Sequence, residues 1–208
     1  VHLDGVVLSQ TTRTPSVRRR IQMVFQDPNS SLDPRLTVGR ALAEVIEVHE
    51  LVPRERVDER VEELLALVGL AGRAGARPAQ LSGGQRQRVA IARALAAEPE
   101  VLIADEAVSA LDVSVKASIV NLLRDLRDRL HLTMVFISHD LAVMSSICDR
   151  VMVMYHGKIV EEASTTALFS DPRHPYTQTL LRSVPRIGVP LGPRPVPVAE
   201  LTPGALSE

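Results

Sequence analysis

Tryptophan is absent from this chain, and aromatic residues are scarce throughout, with three phenylalanines and two tyrosines in 208 residues. That leaves few of the stacking platforms on which single-strand nucleic-acid binders rely. Charge points the same way: 24 basic against 25 acidic residues give a formal net charge of -1, so no global field draws the chain to DNA, RNA or an anionic membrane surface. Cys148 is the only cysteine; it excludes an internal disulfide framework, fits a reducing compartment and reads as a small buried apolar residue. No apolar run approaches the ~18 residues of a membrane-spanning helix, and the first residues lack a basic-then-apolar signal pattern. The expectation is a soluble chain that meets a membrane only through a partner. Lysine is nearly missing too. Lys116 has no glycine nearby, and Lys158 follows Gly157 but precedes Ile159, with Met152 where the first glycine belongs, so no Gly-x-x-x-x-Gly-Lys-Ser/Thr phosphate loop exists in the sequence.

What is present alternates between strand and helix patterns over a length that can bury a full core as one main domain. Val1 to Val7 alternates around a turn at Asp4-Gly5, and Ile21 to Gln26 is a second strand, closed by the loop Asp27 to Pro34. Thr37 to Leu51 and Arg54 to Val68 carry helical periodicity and read as a separate lobe. Ser82 caps a helix from about Gln85 to Ala97, which Pro99 stops before the apolar strand Val101 to Ala104. Val113 to Leu130 is an amphipathic helix, Thr133 to Ile137 a short strand, and Val151 to Tyr155 with Lys158 to Glu161 a hairpin about His156-Gly157. Beyond Arg182 six prolines, from Pro185 to Pro203, mark an extended tail.

Ser82-Gly83-Gly84 sets a hydroxyl and two residues without side chains at a helix start, where free N–H groups and the positive dipole end favour phosphate. Asp105 and Glu106 end an apolar strand, putting two carboxylates at the carboxyl edge of a sheet, where open α/β folds bind ligands. Several other features read as structural. Arg18-Arg19-Arg20 is a solvated turn or helix end, Glu62-Glu63 and Glu161-Glu162 are solvated faces, and Met134, Met144, Met152 and Met154 fill core gaps.

Five segments, in order, resemble the motifs of an ABC-type ATPase. Gln26 looks like the Q-loop glutamine, Leu81-Ser82-Gly83-Gly84-Gln85 the signature, Val101 to Glu106 the Walker B strand, Ser109-Ala110-Leu111-Asp112 the D-loop and His139 the switch histidine. Ala107-Val108 departs from the Pro-Thr usual after the glutamate. Asp171-Pro172-Arg173-His174-Pro175-Tyr176 and the residues after it are similar to the C-terminal extension of ATPase subunits of oligopeptide/dipeptide (peptide/nickel) importers, as is Met23 to Pro34 around the Q-loop. The resemblance covers residues 1 to 185.

It implies a P-loop NTPase-like α/β core, a mostly parallel sheet with flanking helices plus a helical subdomain. Residues 1–168 form that core, with the helical subdomain at about 30–90; 169–185 are the importer extension and 186–208 a proline-rich tail. It also implies ATP and Mg²⁺ as cofactors. Glu106, His139 and Gln26 take catalytic roles, Asp105 and Gln26 hold Mg²⁺, and Ser82, Gly83, Gly84, Gln85 and Asp112 reach a nucleotide held by a second ATPase subunit. The implied partners are that subunit, as a homo- or heterodimer, membrane-spanning permease subunits, and indirectly an extracytoplasmic substrate-binding protein; nucleic acid is not among them. The implied place is the cytoplasmic side of the cell membrane. Without a phosphate loop only the signature-side half of a composite site is expected to work. The missing strand belongs between the one ending near His139 and the Val151 strand, so the chain is expected to be the C-terminal portion of a longer ATPase energising peptide import. Two alternatives stand beside this: a non-hydrolysing partner supplying only its signature half-site, and an ABC-type ATPase acting on nucleic acid.

Overall fold

The computed structural model describes residues 2–3, 5–8 and 14–183, which fall into two compact units divided between His139 and Asp140. The first opens with a short antiparallel pair, β1 (His2–Leu3) and β2 (Val6–Val7), turning at Gly5 with φ 77°. Helix α1 (Pro15–Arg20), capped by the Thr14 hydroxyl, leads into β3 (Ile21–Val24). Arg18 to Arg20 are its basic last turn, as expected of a helix end, but Arg20 is not simply solvated: its guanidinium grips both oxygens of Glu100.

The loop after β3 contains a 3-10 turn, Pro28–Ser31. A helical lobe follows, with α2 (Val38–Val48) capped by Thr37, a 3-10 turn at Arg54–Arg56, α3 (Val57–Leu67) and α4 (Gly83–Leu95). Its core is Leu42, Ile46, Leu64, Leu65, Val89 and Ile91, each at most 1 % exposed. Full burial of one such side chain is worth about 1.5–3 kcal/mol. α2 starts very close to the chain at Ala74: the Gly39 N–H donates to the Ala74 carbonyl at 2.8 Å, and a Cβ on Gly39 would lie 3.0 Å from the Ala74 methyl.

β4 (Val101–Asp105) is the centre of a three-stranded parallel sheet in the order β3-β4-β5. Leu102 and Ala104 are fully buried in it. Helix α5 (Val113–Leu130) joins it to β5 (Thr133–Ile137) and buries Ile119, Val120, Leu123 and Leu126 at helical spacing. His131, in the left-handed conformation at φ 52°, stops it. Among the described residues β5 pairs on one side only, with β4.

In the second unit, Asp140 accepts from the N–H groups of Ala142 and Val143 to cap α6 (Leu141–Ile147). β6 (Arg150–Tyr155) and β7 (Lys158–Ser164) form the expected hairpin. His156 and Gly157 both have positive φ, 45° and 76°, the requirement of a two-residue turn that follows the strand twist. Ser164 caps α7 (Thr165–Ser170), and α8 (Pro175–Arg182) begins at a proline with His174 Nδ1 accepting from the Tyr176 N–H.

The readings of four residues are corrected. Met152 and Met154 fill no core gap; they stand on the outward face of β6, 57 % and 63 % exposed. Cys148 is half-buried rather than buried. Glu161 is not a solvated face: its two oxygens accept the backbone N–H groups of Arg173 at 2.8 Å and His174 at 3.0 Å. Glu62 is exposed, as expected of a solvated face, and its carboxylate accepts the Gly72 N–H at 3.1 Å. The proline-rich tail lies outside the described residues.

Candidate functional site

Parallel register decides which side chains gather at the carboxyl edge of the sheet. Val24 lies beside Ala104, Ala104 beside Phe136 and Asp105 beside Ile137. Gln26, Glu106 and Ser138-His139 therefore follow three adjacent strand ends, which is where the sequence placed a ligand edge. Gln26 is exposed and Asp105 half-buried.

Glu106 leaves β4 with φ 46°, a left-handed conformation unusual for a residue with a side chain. Three hydrogen bonds hold it there. Its N–H donates to the Ile137 carbonyl at 2.9 Å, and its own carbonyl accepts the Ser109 hydroxyl at 2.9 Å and the Ser109 N–H at 3.0 Å. The bend turns the carboxylate toward the end of β5, where Glu106 Oε1 sits 3.1 Å from His139 Nδ1. The histidine is 72 % exposed and the glutamate 33 %, so the pair is open to a reacting molecule rather than sealed in the core. A carboxylate against an imidazole can orient the ring and exchange a proton with it.

The second set of residues lies at the starts of α4 and α5. Ser82 and Gln85 form a reciprocal cap: the Gln85 N–H donates to Ser82 Oγ at 3.3 Å, and the Ser82 N–H to Gln85 Oε1 at 2.9 Å. The Gln85 oxygen is thus engaged within its own helix. Gly83 and Gly84, the first two helical residues, have N–H groups without an intrahelical carbonyl. A Cβ on Gly83 would find nothing nearer than Leu111 Cδ2 at 4.0 Å, so the helix start is open to a close ligand there. Asp112 caps α5, accepting the Val115 N–H at 3.0 Å and the Ser114 hydroxyl at 2.8 Å. Those two bonds, the backbone one foremost, hold its carboxyl below the usual aspartate value.

Sequence reasoning assigned no role to the arginines of α4, yet they fix the site's frame. Arg86 donates to the Leu81 carbonyl at 2.6 Å, Arg88 to the Val68 carbonyl at 2.6 Å and Ser118 Oγ at 2.7 Å, and Arg93 to the Ser31 carbonyl at 2.9 Å. Their spacing along one helix was visible; the carbonyl partners of Arg88 and Arg93, 20 and 62 residues away, were not.

Residues 1–109 match the family model described as ABC transporter, and residues 160–204 match that of the oligopeptide/dipeptide transporter C-terminal region. A protein of Brucella abortus (strain 2308) described as a peptide import ATP-binding protein is 55 % identical over 171 residues, 82 % of this chain and 51 % of its own length. The oligopeptide transport ATP-binding protein AppF of Bacillus subtilis (strain 168) is 52 % identical over 179 residues, 86 % of this chain and 54 % of its own. The chain spans about half the length of these curated relatives. Among solved structures, cbiO1 from Clostridium perfringens, part of the ABC transporter complex cbiONQ, superposes with a TM-score of 0.74 at 29 % identity, covering 82 % of this chain and 67 % of that one. The chain belongs to the ABC transporter family.

Proposed function

We propose that this chain supplies the signature side of a composite ATP site to an ATPase subunit that carries its own phosphate loop, in an importer of di- or oligopeptides. The observation that carries the reading is that the Ser82-Gly83 helix start and the Asp112 cap are both fully formed, with open space where a Cβ on Gly83 would stand. The peptide cargo rests on the match of residues 160–204 and on the names of the relatives.

The residues fit a nucleotide at the first set: two orphan N–H groups, a dipole end and no Cβ at Gly83 suit phosphate oxygens. They fit Mg²⁺ only in part. Among the described residues no group of three His, Cys, Asp or Glu side chains could hold a metal. Asp105 and Gln26 would give part of a coordination sphere whose remainder comes from phosphate and water, the usual habit of Mg²⁺. Bound Mg²⁺ would neutralise phosphate charge; Glu106 would orient water, with His139 holding the carboxylate in place.

For the permease partners, a cleft of about 460 Å³ between β3, α2 and α4 offers a docking place, with Phe25 48 % and Val48 70 % exposed at its rim. No described helix is long and apolar enough to cross a membrane. In this reading the chain attaches to the cytoplasmic side of the membrane through those partners.

The deciding experiment is MgATP affinity by calorimetry, for the chain alone and mixed with a complete ATPase subunit in which the catalytic glutamate is replaced by glutamine. The expected result is no binding alone and nucleotide-dependent pairing in the mixture. Micromolar binding by the chain alone would overturn the half-site reading.

A further inference from the structure

Two hydrogen bonds at the start of α5 end on one atom. The Val115 N–H donates to Asp112 Oδ1 at 3.0 Å, and the Ser114 hydroxyl donates to the same Oδ1 at 2.8 Å. Capping needs only the first, because one side-chain oxygen satisfies one orphan N–H. The second does something else. Donors at an sp² oxygen prefer the plane of its carbonyl group, so two of them together define how the carboxylate plane is turned. Neither bond meets Oδ2, and Asp112 is exposed. This start of α5 lies against the start of α4: a Cβ on Gly84 would come within 2.5 Å of Val115 Cγ1, and Leu111 Cδ2 lies 4.0 Å from where a Gly83 Cβ would stand.

We propose that Ser114 is a positioning residue: by holding Oδ1 it sets Oδ2 of Asp112 toward the partner's side of the composite site. This rests on the half-site reading above. There Oδ2 accepts donors that a complete ATPase subunit presents beside its nucleotide, while Ser114 itself touches neither nucleotide nor partner. Its contribution is pre-organisation. With the carboxylate plane set before the subunits meet, less side-chain freedom is lost when they pair.

The test is a double-mutant cycle on the 208-residue chain, S114A, D112S and D112S/S114A, with S114T as the conservative variant. Serine caps a helix about as well as aspartate, so D112S removes Oδ2 while keeping the start of α5. Two quantities are read for each: the unfolding midpoint, and the chain concentration giving half-maximal MgATP-dependent pairing with a complete ATPase subunit. S114A should raise that concentration by roughly three- to tenfold, the worth of one hydrogen bond, with its midpoint close to the parent's. Threonine keeps the hydroxyl, and S114T should pair as the parent does. D112S should weaken pairing at least as much as S114A, and adding S114A to it should change nothing further, because the group through which Ser114 acts is gone. S114A pairing like the parent overturns the proposal, as does S114T failing to restore pairing. So does a D112S/S114A chain weaker than D112S by the factor that S114A shows alone, which would place the Ser114 hydroxyl on the partner itself. Pairing that weakens only in step with a falling midpoint would make Ser114 structural and sinks the proposal too. A parent chain that never pairs overturns the half-site reading, and this proposal falls with it.

Discussion

Glu161 on β7 accepts the backbone N–H of His174 at 3.0 Å through one carboxylate oxygen while the other takes Arg173 at 2.8 Å. One side chain therefore holds the segment from Asp171 to His174 against the hairpin. Burial by itself would raise its pKa, but the two N–H donors outweigh that and leave it below the ordinary glutamate value of 4.5. A carboxyl lowered on folding stabilises the fold above its unfolded pKa and loses that contribution as pH falls through the folded one. Unfolding followed by circular dichroism from pH 6 downward should show a stability loss below about pH 4.5 that Glu161→Gln removes. At neutral pH, Glu161→Ala should cost about 1–3 kcal/mol, since both N–H groups lose a charged acceptor.

Roles on the two sides of the composite site separate in one assay. With a complete ATPase subunit supplying the nucleotide, Ser82→Ala in this chain should lower turnover, and loss of the cap should cost about 0.5–2 kcal/mol of stability. On the proposed reading Glu106 belongs to the other composite site, so Glu106→Gln in this chain should leave that turnover unchanged. A fall in turnover with Glu106→Gln would place it at the working site instead.

Gly39 tests the helical lobe by itself. Its alanine variant gains helix propensity of about 1 kcal/mol but must displace Ala74, whose Cβ and carbonyl oxygen lie 3.0 Å and 3.1 Å from the added carbon. Denaturant titration should show net destabilisation of about 1–3 kcal/mol, the usual cost of overpacking.

Among the described residues β5 pairs on one side only, and it carries the exposed apolar side chains Val135 (42 %) and Ile137 (47 %). Such edges recruit other strands. Val135→Lys should reduce concentration-dependent light scattering while changing stability by less than about 0.5 kcal/mol, as expected of an exposed position.

Local signals settled much of this architecture in advance. α5 begins at Val113 and ends at Leu130 as expected, because Asp112 is a strong cap and the apolar period is unbroken to a left-handed His131. β5 follows from five residues of strand-forming type bounded by polar ones. α1 escaped notice since six residues with three consecutive arginines carry no apolar period. Glu161 was misread because its acceptor role depends on N–H groups that lie 12 and 13 residues downstream. At the candidate site, residue types showed which groups could act; the contact between Gly84 and Val115 arises from two helix starts distant in sequence, and no window of neighbours contains it.

The left-handed bend at Glu106 has an evolutionary consequence. A residue with a Cβ gives up roughly 1–2 kcal/mol in that conformation, and glycine gives up none. Replacing Glu106 by glycine would therefore relieve the backbone and at the same time erase the partner of His139. Heat resistance and chemistry pull this position in opposite directions, and a library of variants screened for thermal endurance alone would drift toward the residue that disarms the sheet edge.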